Sequence, residues 1–114
     1  MEVRRGDVFL VDLNPVIGTE QSGIRPALVI QTDRANASSP HTIIAPFTTR
    51  IRGALLPSHV EFIAGEGGLA EASVLLCEQI RVIDKKRLVR RVGTMGEQEL
   101  ANVATALKVI LGLG

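Results

Sequence analysis

The chain predicts a mainly β protein of the α+β kind, a small and partly open β-barrel closed by one C-terminal helix. Three observations carry this. Five or six short runs rich in β-branched and aromatic residues are separated by Gly, Pro and Asn punctuation. One segment near the end has helical periodicity behind a capping signal. The composition suits one aliphatic core: 114 residues, 46% hydrophobic, with 12 Val, 10 Ile and 13 Leu against three Phe and no Trp or Tyr. That length and apolar content fit a single domain spanning 1–114 and exclude intrinsic disorder. The absence of Trp and Tyr also means that aromatic base stacking does not dominate any binding the chain performs.

Residues 7–13, Asp-Val-Phe-Leu-Val-Asp-Leu, read as the first strand, begun after Gly6 and ended by Asn14-Pro15. A long loop follows, in which Gly18 and Gly23 allow conformations that other residues avoid. The second strand is expected over 26–33, with Pro26 at its first position, where no ladder donor is needed. Residues 34–41 read as a polar loop and 42–49 as a third strand. Pro46, inside that strand, implies a sheet edge or a bulge. Further strands are expected at 58–62 and 72–80, separated by the glycine turn 64–68, then a helical turn at 84–87 and a strand at 88–92. Thr94-Met-Gly-Glu97 has capping-box spacing. Leu100, Val103, Ala104, Leu107, Ile110 and Leu111 then form one helical stripe that must pack on the sheet.

Thirteen Lys and Arg against 12 Asp and Glu exclude a chain-wide polycation. The distribution is uneven: between Arg81 and Arg91 six cations face only Asp84, a local excess of five. Ten of the 13 cations are Arg, whose planar fork suits phosphate. The strip is thus either a phosphate-binding run or a solvated surface. Cys77 stands alone, so an intramolecular disulfide and multi-cysteine zinc sites are excluded, and its apolar neighbours indicate a buried structural thiol. The N-terminus lacks a signal-peptide core and no segment has the length of a membrane span, which predicts a cytoplasmic protein with no membrane partner. His41 and His59 read as exposed loop histidines without metal spacing, and no phosphate-cradling or dinucleotide motif is present. No cofactor and no metal are expected.

The passage that offers chemistry is 18–30, where a glycine-containing loop delivers Glu20 and Arg25 beside the start of a strand. Thr48-Thr49-Arg50 at the end of the third strand is positioned to face it. Around these residues Arg5-Gly-Asp-Val-Phe9, Asp12-Leu-Asn-Pro15, Gly18-Thr-Glu-Gln21, Gly23-Ile-Arg-Pro26 and Leu28-Val-Ile-Gln31 follow in order. Downstream come Ala45-Pro-Phe-Thr-Thr49, Leu55-Leu-Pro-Ser-His-Val60, Val74-Leu-Leu-Cys-Glu-Gln-Ile-Arg81 and Ile83-Asp-Lys-Lys-Arg-Leu88. Together, over essentially the whole chain, these motifs resemble the MazF/PemK/Kid family of toxins.

The resemblance implies an SH3-like barrel of the plasmid-maintenance toxin type. It implies a sequence-specific, metal-independent endoribonuclease of a type II toxin-antitoxin system, cutting single-stranded RNA and so inhibiting translation. It implies a homodimer neutralised by an antitoxin with a disordered tail. By the family's motifs Arg25 and Thr48 are the catalytic pair. Glu20, Gln21, Thr49, Arg50, Glu78, Gln79 and Arg81 are expected to line the RNA groove. RNA carries its own nucleophile, so Arg25 is cast first as stabiliser of charge on the phosphate and second as proton donor. The helix stripe and an unpaired edge near Pro46 are the expected self-association surfaces, although most of the stripe is expected to serve the intramolecular core. The alternative is a CcdB-like, non-enzymatic poison of DNA gyrase. That class depends on a C-terminal Trp-Gly-Ile, whereas this chain ends Ile110-Leu-Gly-Leu-Gly114.

Overall fold

The computed structural model describes the chain apart from Thr19, Arg52 and Ala54; Thr19 belongs to the Gly18–Gln21 motif. Among the described residues seven strands form one antiparallel sheet: β1 (Asp7–Asp12), β2 (Ile24–Val29), β3 (His41–Thr48), β4 (His59–Phe62), β5 (Ser73–Leu76), β6 (Arg81–Asp84) and β7 (Leu88–Thr94). A short helix, α1 (Asp33–Ser38), joins β2 to β3, and α2 (Glu97–Leu111) follows β7. The order β4-β5-β3-β2-β1-β7, with β6 also on β3, is the mainly β, partly open architecture expected.

Both faces of the central strands are covered, which is why β1 reads as a nearly continuous apolar run rather than a clean alternation. On one face Val8, Leu28, Ala45, Phe47 and Leu75 pack with Val103 and Ala106 of α2. On the other, Phe9, Val11, Ala27, Val29 and Ile44 pack with Ile83 and Leu88. Burying one such aliphatic side chain stabilises the fold by about 1.5–3 kcal/mol, so these two clusters, not local propensity, hold the sheet.

Four expectations about the elements need correction. The segment 34–41 is not a loop: Asp33–Ser38 is helical, and its polar residues are satisfied internally. Buried Asn36 accepts from Gln31 Nε2 (2.9 Å) and Thr42 Oγ1 (2.7 Å) and donates to the carbonyl of Gln31 (2.9 Å). The second strand accordingly runs over 24–29, not 26–33, because Ile24 already pairs with Asp12 while the chain turns into α1 after Ile30. The strand expected over 72–80 stops at Leu76: β5 (Ser73–Leu76) gives way to a 3-10 turn at Cys77–Gln79, and a separate strand, β6, begins only at Arg81.

That break explains the fourth correction. β3 is no edge strand. It pairs with β2 on one side, while on the other Ile44 pairs with Arg81 of β6 and Phe47 with Leu75 of β5. Pro46, which has no N–H to donate, stands where β3 changes partner, so the missing donor falls at a gap in the ladder. No unpaired edge exists there to associate through.

The glycine turn does more than reverse the chain. Glu66–Gly68 lies against β7, and a Cβ on Gly68 (φ 78°) would fall 2.0 Å from the carbonyl oxygen of Val92. A Cβ on Gly93 would fall 2.3 Å from that of Gly67. This backbone-to-backbone seam, possible only without side chains, draws the β4–β5 connection onto β7. The capping signal lies two residues later than expected: Gly96 is the N-cap, and its N–H donates to Glu99 Oε1 at 3.2 Å. From α2, Val103 and Ala106 are buried and Leu100 and Leu107 pack on the core, whereas Ile110 and Leu111 stay exposed. The expected helical turn before β7 is present at Lys85–Arg87, with Asp84 accepting from the Lys86 N–H. Among the described residues no helix is long and apolar enough to cross a membrane.

Candidate active site

Arg25 enters the site on the second residue of β2, opposite Val11 of β1. Its Nε donates to the carbonyl of Ser22 at 2.7 Å, which sets the side chain back along the loop it has just left. Both terminal nitrogens of the guanidinium lack a protein hydrogen bond among the described residues, so the outer fork keeps its donors for an anion. β2 and β3 pair Ala27 with Pro46. Continued by two residues, that register sets Arg25 across from Thr48. Thr48 is buried; its hydroxyl donates to the Arg50 carbonyl and accepts from the Arg50 N–H, both at 3.2 Å. It thereby ties down the turn on which exposed Thr49 and Arg50 sit.

A groove of about 200 Å³ is lined by Leu13, Glu20, Gln21, Pro46 and the segment from Glu78 to Arg81. Residues from three distant parts of the chain therefore meet. They are held there by backbone and side-chain bonds: the Gln21 N–H donates to Gln79 Oε1 at 2.9 Å, and Arg81 Nη1 donates to the Leu13 carbonyl at 3.2 Å. Glu20 turns one oxygen back to the Ile17 N–H at 3.0 Å. Glu78 has both oxygens engaged, Oε1 by Ser58 Oγ at 3.0 Å and Oε2 by His59 Nε2 at 2.8 Å.

A second, larger concavity of about 710 Å³ lies alongside, with Leu10, Ile24, Pro26 and Val92 as apolar lining and Arg25, Thr49 and Arg90 contributing polar groups. Of the nine site residues expected from sequence, five line the groove, Arg25 and Thr49 line the larger cleft, Thr48 stands across from Arg25, and Arg50 lines neither.

Four of the six cations of the basic strip are tied to the protein, while Lys86 and Arg90 are exposed. Arg81 and Arg87 donate to carbonyls of the β1–β2 connection, and Lys85 Nζ donates to the carbonyl of Asn36. Arg91 reaches the Asp7 carboxylate at 3.3 Å and lies 5.6 Å from the centroid of the Phe9 ring. Its cations mostly brace the sheet. Cys77 is buried beside the groove wall, and burial, with a smaller contribution from the Glu78 charge, pushes its thiol up from 9.0 to about 11. It is the inert structural thiol expected.

His59 was expected to be exposed in a loop. Instead its side chain is 7% exposed, at the start of β4 between Glu78 and the Leu56 N–H. Sequence reasoning assigned no individual role to Ser58, and to Arg90 only a place in the basic strip. The approach of Ser58 and His59 to Glu78 could not be read locally, because it depends on the pairing of β4 with β5. Among the described residues no group of three or more His, Cys, Asp or Glu is placed to hold a metal ion. Chemically, the arrangement offers a cationic fork in one cleft and a second groove rich in hydrogen-bond acceptors. It suits an extended anion bearing donor groups.

Residues 4–111 match the family described as the PemK-like, MazF-like toxin of type II toxin-antitoxin systems. The chain belongs to that family. It is 47% identical over 113 residues to endoribonuclease EndoA of Bacillus subtilis (strain 168), covering 99% of this chain and 97% of that protein. Its fold is similar to the crystal structure of MazF from Deinococcus radiodurans, with TM-score 0.83, 27% identity and 98% of each chain covered. A MazE–MazF structure from the same organism matches with TM-score 0.77 and 26% identity, covering 100% of this chain and 99% of that one. The family match favours the toxin-antitoxin reading over the gyrase-binding alternative.

Proposed function

We propose that this toxin is a sequence-specific, metal-independent endoribonuclease that cuts single-stranded RNA and is neutralised by a cognate antitoxin. The observation that carries the reading is the unspent guanidinium fork of Arg25, which opens into the larger cleft with Thr49 and Arg90. The relative named as an endoribonuclease supports the activity, and the relative solved with MazE supports the antitoxin.

The chemistry follows from what RNA brings with it. The 2′-OH gives its proton to solvent water and attacks the adjacent phosphorus; the P–O5′ bond breaks and the 5′-oxygen takes up a proton, leaving a 2′,3′-cyclic phosphate and a 5′-hydroxyl. The protein must align the reacting atoms and stabilise the charge that grows on the phosphate. Arg25 is permanently cationic and cannot serve as a general base, so its fork binds the non-bridging oxygens and donates to the leaving oxygen. The Thr48 hydroxyl turns from the Arg50 carbonyl to a phosphate oxygen or the 2′-OH. Glu20, Gln21, Glu78, Gln79 and Arg81 meet the bases and backbone on either side. No step requires a metal, because the nucleophile is not an activated water. The active form is a homodimer in the cytoplasm, in which the groove is shared between RNA and the antitoxin tail.

The test is incubation of the purified chain with end-labelled single-stranded RNA in EDTA. Cleavage to cyclic-phosphate ends is expected; intact RNA in EDTA that is cut only when magnesium is restored would overturn the metal-free mechanism.

A further inference from the structure

Glu78 differs from the other groove acids in being held at both oxygens. The Ser58 hydroxyl donates to Oε1 at 3.0 Å and His59 Nε2 approaches Oε2 at 2.8 Å. The state of the imidazole is fixed by its other nitrogen. His59 Nδ1 faces the Leu56 N–H at 3.0 Å and so must accept, which leaves the ring proton on Nε2, donating to Glu78. The Cys77 N–H, one residue before Glu78, donates to the Ser58 carbonyl at 3.1 Å, so backbone and side chains agree in fixing this corner. The His59 side chain is 7% exposed and that of Glu78 28%, so the carboxylate is held from behind by the imidazole and open on its groove side.

We infer that His59, assisted by Ser58, is a positioning residue that fixes Glu78 as an acceptor-only reader of base edges, so that the choice of cleavage site depends on His59 although the chemical step does not. The inference rests on the endoribonuclease reading above. Each Glu78 oxygen accepts one protein donor and keeps a lone pair toward the groove. A carboxylate fixed in this way takes donors such as the exocyclic amino groups of adenine, cytosine or guanine and disfavours edges that present only carbonyls. Single-stranded RNA exposes those edges once its bases are unstacked. Were Glu78 free to swing, it would follow whichever base was offered and discriminate less. The imidazole also links this reader to the connection ahead of β4, because the nitrogen that sets its tautomer is bound by Leu56 in that connection.

Two substitutions separate the two nitrogens. The Gln amide nitrogen in His59→Gln overlays Nε2 and keeps the donor to Glu78. The Asn oxygen in His59→Asn overlays Nδ1, keeping the Leu56 contact and losing Glu78. The measurement starts with sequencing of cut ends from a mixed RNA pool. It is followed by kcat and KM on single-stranded oligonucleotides in which each base flanking the preferred site is varied. His59→Gln should keep the wild-type preference. His59→Asn should cut with its kcat on the best substrate within about threefold of wild type, while discrimination at one flanking base narrows roughly tenfold through KM, the size of one well-made base contact. Added to Glu78→Gln, His59→Asn should change nothing further, since the two act through one contact. Equal behaviour of the Asn and Gln variants, or unchanged preference in both, with melting temperatures near wild type, would overturn the inference. So would an Asn variant that merely loses rate on every substrate alike. RNA left uncut by the wild-type protein would instead remove the endoribonuclease reading itself.

Discussion

Arg25 has only its Nε committed to the protein, through the Ser22 carbonyl, so truncating it removes a charge without opening a core cavity. Arg25→Ala is therefore expected to retain the wild-type circular dichroism and melting curve. It should lose about 100- to 1000-fold in RNA cleavage, the usual size of one oxyanion-type contact. Arg25→Lys should recover only part of this, because an ammonium cannot span two phosphate oxygens. Full turnover by a folded Arg25→Ala protein would take the residue out of the mechanism. A second expectation concerns the substrate: a single 2′-deoxy nucleotide on the 5′ side of the scissile bond should block cutting there, and a cut at that bond would show the nucleophile to be wrong. Arg25 and Thr48 were legible in the chain because each sits in a contiguous motif, Gly23-Ile-Arg-Pro26 and Ala45-Pro-Phe-Thr-Thr49. The bond between His59 and Glu78 was not, because it spans 19 positions and exists only once β4 and β5 are paired.

At the scale of elements, the seam between the 66–68 turn and β7 gives a sharp contrast between two glycines. In Gly68→Ala the methyl would lie 2.0 Å from the Val92 carbonyl oxygen, and the residue would also keep a left-handed φ of 78°. Overpacking against backbone that cannot yield, added to the conformational strain, should destabilise the fold by roughly 2–4 kcal/mol. In Gly65→Ala the φ is 97° but nothing lies within 4 Å of the new methyl. Only the strain remains there, on the order of 1 kcal/mol. Urea titrations of the two variants measure the difference, and equal midpoints would show that the close approach is unimportant. The elements also show where pattern reading works. The C-terminal helix was legible because its stripe has a single period. α1 was hidden because a six-residue helix burying one asparagine has no apolar stripe to display. The end of β5 at Leu76 was hidden because no Gly or Pro marks the 3-10 turn at Cys77–Gln79, whose buried Cys77 continues the apolar run of β5.

For the molecule as a whole, the mass in solution should be about twice 12.2 kDa, and a peptide from the antitoxin tail should compete with uncleaved RNA for the same groove. A single-chain mass, or simultaneous binding, would defeat the shared-groove dimer. The buried thiol supplies a pH signature. Its folded pKa is raised from 9.0 to about 11, so the neutral form is favoured in the native state. Its contribution to stability is fully present below pH 9 and is lost as the pH climbs from 9.0 toward about 11. Cys77→Ala should flatten that part of the stability profile, and an aromatic disulfide reagent should stay silent on the native protein until it unfolds. The order of the strands has a consequence for synthesis. β1 carries Val8, Phe9 and Val11 in the two cores, yet its second neighbour is β7, which reaches it through pairs as distant as Asp7 with Thr94. A nascent chain halted before residue 88 leaves the β1 edge bare and the Gly93 half of the seam unmade. The sheet is therefore completed only when the ribosome has delivered nearly the whole message, after residues 88–94.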